Sequence, residues 1–230
     1  MIYDANTLDL DEPLETDILI IGAGPAGITI AKQFADSPLR VIILESGGAS
    51  YDYSAQDLNR GSITGIPAEP LDASRLRLFG GTSNHWAGWC RPLDKEDFDV
   101  RDDWSESGWP ITKDDLSKYY DRATVLCQLT STKFDDFKYW KSQIGTQHLN
   151  KLNLNNNRLL TSIFQISPPT RFGEAYRQDL EEANNIRVIL NATVLELLKS
   201  SDSSLNSQIK KISGVLASTP KRKKLTVDKN

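Results

Sequence analysis

The clearest pattern of apolar and polar positions lies between Thr16 and Ser46. Asp17 leads into an unbroken apolar run, Ile18-Leu19-Ile20-Ile21, and a Gly-rich turn follows it. Ile28, Ile30, Ala31, Phe34 and Ala35 then recur at helical spacing, before a second apolar run, Val41-Ile42-Ile43-Leu44, ends at Glu45. Short continuous apolar runs of this kind predict strands buried on both faces. The segment therefore reads strand, turn, helix, strand. From 49 to about 110 the chain is rich in Gly, Ser, Asp and Trp and has little periodicity, which predicts an irregular insertion. Thr112 followed by Asp115 predicts a capped helix start, with Leu116, Tyr119, Tyr120 and Ala123 as its apolar stripe. Phe172, Tyr176, Leu180 and Ala183 predict a second helix, ending at Asn184-Asn185. Ile186 to Leu190 and Thr193 to Leu198 predict strands split by Asn191-Ala192. Residues 1–15 form a polar lead-in, Asn153 to Asn157 read as a turn, and Ser200 to Ser207 as a loop.

The Gly-rich turn is Gly22-Ala23-Gly24-Pro25-Ala26-Gly27, which matches G-x-G-x-x-G. Gly22 suits a tight strand-to-helix turn, Gly24 presents no side chain to a pyrophosphate, and Gly27 lets helix and strand pack closely. Pro25 and Ala26 occupy the free positions of the motif, at the helix N-terminus whose N–H groups and positive dipole end favour phosphate. Glu45, 18 residues after Gly27, can accept hydrogen bonds from a ribose hydroxyl, and its charge disfavours a 2′-phosphate. The alternative is a Gly-rich turn in an unrelated α/β domain, but the flanking strands, helix and acid together point to a dinucleotide site. A nicotinamide domain normally continues with another β-α-β unit soon after the acid. Here Gly47 and Gly48 follow at once and an irregular stretch takes over, which favours FAD over NAD. The expected fold is α/β: a Rossmann-like domain over 16–230 with a partly parallel sheet, incomplete in this chain.

Composition narrows the picture. The chain has 230 residues, 27 Lys plus Arg against 31 Asp plus Glu, and a net charge of -4. That length can bury a real core. The acidic balance argues against a nucleic-acid partner, which would require a basic face to displace counterions. Ile18 to Ile21 is the longest purely apolar stretch, far short of the roughly 20 residues of a membrane span. Asp4, Asp9, Asp11 and Glu12 near the start do not fit a secretory signal, and a cytoplasmic location is expected. Two Cys are too few for a disulfide framework or a Cys-rich metal site.

A second dense signal runs from Leu78 to Gly88, Leu-Phe-Gly-Gly-Thr-Ser-Asn-His-Trp-Ala-Gly. Adjacent glycines followed by small polar residues suit a backbone held close to a ligand. With Gly22 to Gly27, Leu44-Glu45-Ser46-Gly47-Gly48, Arg91-Pro92-Leu93 and Gly108-Trp109-Pro110-Ile111, it makes the chain resemble the glucose-methanol-choline (GMC) oxidoreductases. These are FAD enzymes that oxidise alcohols and sugars, and the resemblance extends in outline as far as Val194. It implies that Gly22, Gly24, Gly27, Glu45 and the adjoining Ser46 hold the ADP half of FAD. It further implies that Gly81, Thr82, Asn84 and His85 lie along the pyrophosphate and flavin ring, with Trp86 beside them and Val194 by the adenine. Pyranose oxidase-like members carry Ser-Thr-His-Trp, with the His bonded to the flavin 8α-methyl carbon. Ser83-Asn84-His85-Trp86 matches except for Asn in place of Thr, so His85 has three readings: a covalent flavin link, a flavin contact, or a structural residue.

Other chemistry-bearing residues have plainer readings. His148 reads as a turn or solvent-facing residue. Cys90 is a small packed residue whose thiol the adjacent Arg91 could acidify, and Cys127 belongs to a helix core. Asp94, Glu96, Asp97, Asp99, Asp102 and Asp103 form a solvated acidic face, and no metal site is expected. Trp86, Trp89, Trp104 and Trp109 are expected to pack within the irregular region, and Lys221 to Lys224 to sit at a hairpin tip or its approach. Alcohol oxidation requires a base for the hydroxyl proton, which family members supply as a His far downstream. No His follows His148 here, so no catalytic residue is assigned to this chain. With the unfinished sheet, this leads to the expectation of an N-terminal piece of a larger flavoenzyme, or a subunit whose partner supplies the substrate domain. Substrate would be a small alcohol or sugar, with the electron acceptor open. The alternatives are another class of FAD oxidoreductase and a non-enzymatic FAD- or NAD-binding module.

Overall fold

In a computed structural model the described residues are 1–8, 13–144, 150–152, 159–199, 212–221 and 224–229. His148, the Asn153 to Asn157 turn and the Ser200 to Ser207 loop lie outside them. Contacts divide the chain into two compact units, one formed by 1–85 and 171–230, the other by 86–170.

The first unit contains two four-stranded sheets. Strands β1 (Ile2–Asp4), β2 (Leu14–Thr16) and β3 (Ile18–Ile21) precede helix α1 (Pro25–Lys32) and strand β4 (Val41–Leu44). Short helices α2 (Tyr53–Asp57) and α3 (Leu71–Ser74) then punctuate the irregular stretch. Strands β7 (Ile186–Leu190), β8 (Thr193–Lys199), β9 (Ile212–Ser218) and β10 (Lys224–Lys229) complete the sheets, after β5 and β6 of the other unit. One sheet has the order β1-β7-β4-β3 and every neighbour in it is parallel. The other, β2-β10-β9-β8, is mixed, with β10 parallel to β2 and antiparallel to β9. The polar lead-in thus contributes a strand to each sheet: Ile2 to Asp4 pair with Val188 to Leu190, and Leu14 to Thr16 with Val227 to Lys229.

Alternation along the strands builds the core. Ile42, Leu44 and Ile189 of the parallel sheet pack with Val215, Ala217, Leu225 and Val227 of the mixed sheet. Val41 and Ile43 project from the opposite face of β4, the side on which α1 contributes the fully buried Ile28 and Ala31. The four residues of β4 are all buried, as their unbroken apolar run predicts. The same expectation fails for β3: only Ile20 is buried and Ile21 is 55% exposed. Among the described residues β3 pairs with β4 alone, so it is an edge strand with one side open.

Phe172, Tyr176 and Leu180 do not share one continuous helix. The segment breaks at Tyr176 into α6 (Phe172–Ala175) and α7 (Arg177–Glu182), and Ala183 caps the second. The break lets Phe172 and Leu180 both remain buried while Lys32 sits over the Tyr176 ring, 3.6 Å from its centroid.

In the second unit β5 (Trp89–Cys90) pairs antiparallel with β6 (Gln165–Ile166). Helix α4 (Lys113–Leu126) begins at the expected capping box: Asp115 Oδ2 accepts from the Thr112 backbone N–H at 2.8 Å, and Thr112 Oγ1 accepts from the Asp115 N–H at 3.3 Å. Its inward stripe differs from the one expected, because Tyr119 and Ala123 are exposed while Thr124 is buried and Leu116, Tyr120 and Cys127 are half-buried. Helix α5 (Phe137–Ile144) follows. Arg91 accounts for the otherwise irregular chain before α4: its side chain, 10% exposed, bridges Asp94 at 2.6 Å and Asp135 at 2.5 Å. Trp89, Trp104 and Trp109 do not pack inward as expected, being 63, 57 and 60% exposed. Phe164 lies edge-on to Trp89, their centroids 5.8 Å apart.

Candidate functional site

The parallel strands β3 and β4 and helix α1 create the site in the first unit. Gly22 adopts φ +100°, a conformation that L side chains rarely take, and turns the chain from β3 toward α1. A Cβ on Gly27 would lie 2.0 Å from the Gly22 carbonyl oxygen, so helix and turn can meet only if that residue is glycine. Gly24 is different. Its φ of -81° is ordinary, and a Cβ there would meet no protein atom within 4 Å. Nothing in the chain itself requires glycine at this position, and an outside group approaching the backbone would. Gly24 also offers α1 no side-chain cap, and Pro25 opens the helix, leaving its N-terminal end to a ligand.

Two distant motifs meet at this turn. The Gly80 N–H donates to the Ala23 carbonyl at 2.8 Å, and a Cβ on Gly81 would come within 3.0 Å of the Gly24 Cα. The Gly-Gly-Thr-Ser-Asn segment folds as a single 3-10 turn (Gly81–Asn84) lying against the G-x-G-x-x-G turn. Its polar side chains are mostly engaged by the protein. Ser83 Oγ donates to the Gly80 carbonyl at 2.7 Å and accepts from the Phe172 N–H, while the Asn84 amide donates to the carbonyls of Phe79 and Gly81. Thr82 Oγ1 accepts from the Leu76 N–H at 3.4 Å. His85 follows, exposed, with its backbone N–H donating to Thr82 O. Trp86 opens the second unit, where its Nε1–H donates to Thr170 O at 2.9 Å.

Glu45 ends β4 and is 6% exposed. One carboxylate oxygen accepts from the Ala23 N–H and the other from the Gly47 N–H, both at 2.8 Å. Burial pushes its pKa above the ordinary 4.5, against those N–H groups and the nearby Arg77, which all favour the charged form. In this structure the carboxylate thus clamps the end of β4 to the Gly-rich turn. Val194 is half-buried on β8, packed against the inter-sheet core and paired with Ala217 beside an irregularity in the ladder. The sequence reading missed Arg77, whose guanidinium donates to Ser46 Oγ at 2.9 Å and to Asn59 Oδ1 at 2.8 Å. A pair of cations, Arg75 and Arg77, just before Leu78 was its signal.

Chemistry outside the site is sparse. Cys90, expected as a small packed residue whose thiol Arg91 could acidify, is half-buried, and burial raises its pKa; both guanidinium arms of Arg91 bind Asp94 and Asp135. No group of three or more His, Cys, Asp or Glu among the described residues could hold a metal ion. No helix among them is long and apolar enough to cross a membrane.

No family model matches the chain. Over 138 residues, 54% of its length, it is 30% identical to an uncharacterised GMC-type oxidoreductase, y4nJ, of Sinorhizobium fredii, and covers 27% of that protein. A stretch of 37 residues is 49% identical to a thiamine thiazole synthase of Pyrobaculum aerophilum, covering 14% of it. Among solved structures, formate oxidase superposes over 95% of this chain with a TM-score of 0.55 at 18% identity, the match covering 44% of the formate oxidase chain. The chain therefore spans between about a quarter and a half of the length of its main relatives. The fold is a mixed α/β one with a parallel sheet, like the matched part of formate oxidase. In sequence the chain is similar to a GMC-type oxidoreductase over about half of its own length, and it spans only a part of that relative.

Proposed function

We propose that this chain forms the FAD-binding part of a GMC-type oxidoreductase acting on the CH–OH group of a small alcohol or sugar. The observation that carries the reading is Gly24, a glycine whose conformation and surroundings leave room for a close outside group at the open end of α1. A bound flavin would supply the capacity to accept a hydride from a substrate carbon. The chain's own residues hold and orient it. Gly22, Gly24, Pro25, Ala26 and Gly27 present backbone to the pyrophosphate, and Gly81 brings Thr82 and Asn84 alongside. Glu45 and Ser46 take the ribose, Val194 the adenine edge, and His85 and Trp86 the flavin. Glu45 Oε1 also accepts from Ser46 Oγ at 3.5 Å, and the second lone pair of Oε2 remains for a ribose hydroxyl once the Ala23 N–H has fixed it. The same negative charge disfavours a 2′-phosphate.

No step of substrate deprotonation is assigned to these residues, since His85 is placed at the flavin and His148 is the last His of the sequence. Peptide mass mapping of the flavin-loaded protein tests the placement of His85. A His85 peptide carrying flavin mass establishes a bond, whereas an unmodified peptide that flavin shields from diethylpyrocarbonate establishes contact. An unmodified, unshielded His85 overturns both. The substrate class is tested by flavin bleaching: an alcohol or sugar should reduce the full-length holoenzyme anaerobically, and bleaching by amines alone would contradict it.

A further inference from the structure

In the second unit Cys90 ends β5 and Cys127 caps the C-terminus of α4. Both are free, half-buried thiols. Each thiol lies close enough to the other to perturb its titration. The pair lines a single cavity of about 270 Å³, walled by Trp89, Tyr120 and Phe134. Thirty-seven positions apart in sequence, the two residues are brought to the wall of one cavity by tertiary structure, and the flavin reading uses neither.

We propose that Cys90 and Cys127 are an oxidisable dithiol that closes to an intramolecular disulfide when a hydroperoxide enters this cavity. The steps balance without any other reactant. The Cys90 thiolate attacks one peroxide oxygen, the O–O bond breaks, and the departing hydroxide takes up a proton as water, leaving a sulfenic acid. The Cys127 sulfur then attacks the Cys90 sulfur, the S–O bond breaks, and a second water leaves with the Cys127 proton. Two thiols have lost two protons and two electrons, and the peroxide has gained them. Burial raises both thiols, but the neighbouring Cys127 works against the rise at Cys90, so the first attack is given to Cys90. Burial pushes the Cys127 thiol up to about 11, suiting it to the later, resolving role. Closure should accordingly be slow at neutral pH and speed up as pH rises.

The test treats the chain with hydrogen peroxide and maps unreduced peptides by mass. The expected result is a cross-linked pair of peptides containing Cys90 and Cys127, lighter by two hydrogens than their sum and separated by dithiothreitol. Cys127→Ser should leave a Cys90 sulfenic acid that dimedone traps. Recovery of the two peptides as separate thiols, or separately oxidised to sulfinic acid, overturns the proposal. So does a cross-link found only between chains. The unmodified sequence gives the decisive reading, so the result does not depend on whether the variant folds.

Discussion

Glu45 shows what a single buried carboxylate does to this fold. Burial raises its pKa above 4.5, so the folded chain keeps a proton on it at pH values where the unfolded chain has lost one. Stability contributed by Glu45 therefore falls as pH rises from 4.5 through the raised value, because the native state binds more protons there. Glu45→Gln removes that titration. Urea melts across this window should show the wild-type stability declining relative to the variant as pH rises; a difference that stays constant contradicts the assignment. Gly27 and Gly24 make a second residue-scale contrast. Gly27→Ala forces a methyl onto the Gly22 carbonyl and should destabilise the first unit by about 3 kcal/mol, read as a lower denaturation midpoint. Gly24→Ala meets nothing and should leave folding within about 0.5 kcal/mol. These glycine roles were legible in the sequence because each follows from backbone geometry within one short motif. Arg77 and the double clamp of Glu45 were not, since both depend on chain segments brought together only by folding.

At the scale of elements, local signals were read well and tertiary ones poorly. Thr112 and Asp115 announce the start of α4 because capping involves only residues three apart. Thr112→Ala should cost about 1 kcal/mol. All five Trp lie between 86 and 170, so intrinsic fluorescence reports the second unit alone, and its melting should fall by about 4 °C. An unchanged fluorescence melt would show that α4 does not limit that unit. The stripe of α4 was misplaced, and the Phe172-to-Ala183 helix was drawn whole, for one reason. Periodicity counts apolar residues, whereas burial is set by what each face meets. Thr124 is buried through its Oγ bond to Tyr120 O, and Tyr176 stops a helix in order to sit beneath Lys32. The apolar run of β3 likewise gives no sign that one side of the strand stays open.

At the scale of the whole molecule, the α/β class and the parallel pairing of β3 with β4 were readable, since a β-α-β unit admits few alternatives. The strands of residues 1–15 were not, because three-residue strands carry too little pattern to stand out from loop. Nor was the division into two units, since no composition break marks residue 86 or 170. The central claim concerns the turn where the two glycine motifs meet. It predicts a variant that folds normally and loses its ligand. Equilibrium dialysis of FAD against the wild type and Gly24→Ala, with matched thermal melts, tests this directly. The account predicts equal melting without FAD and at least about tenfold weaker FAD binding by the variant, the loss of about 1.4 kcal/mol that displaced phosphate contacts should produce. Equal FAD binding by the two proteins, or no binding by the wild type, would contradict it.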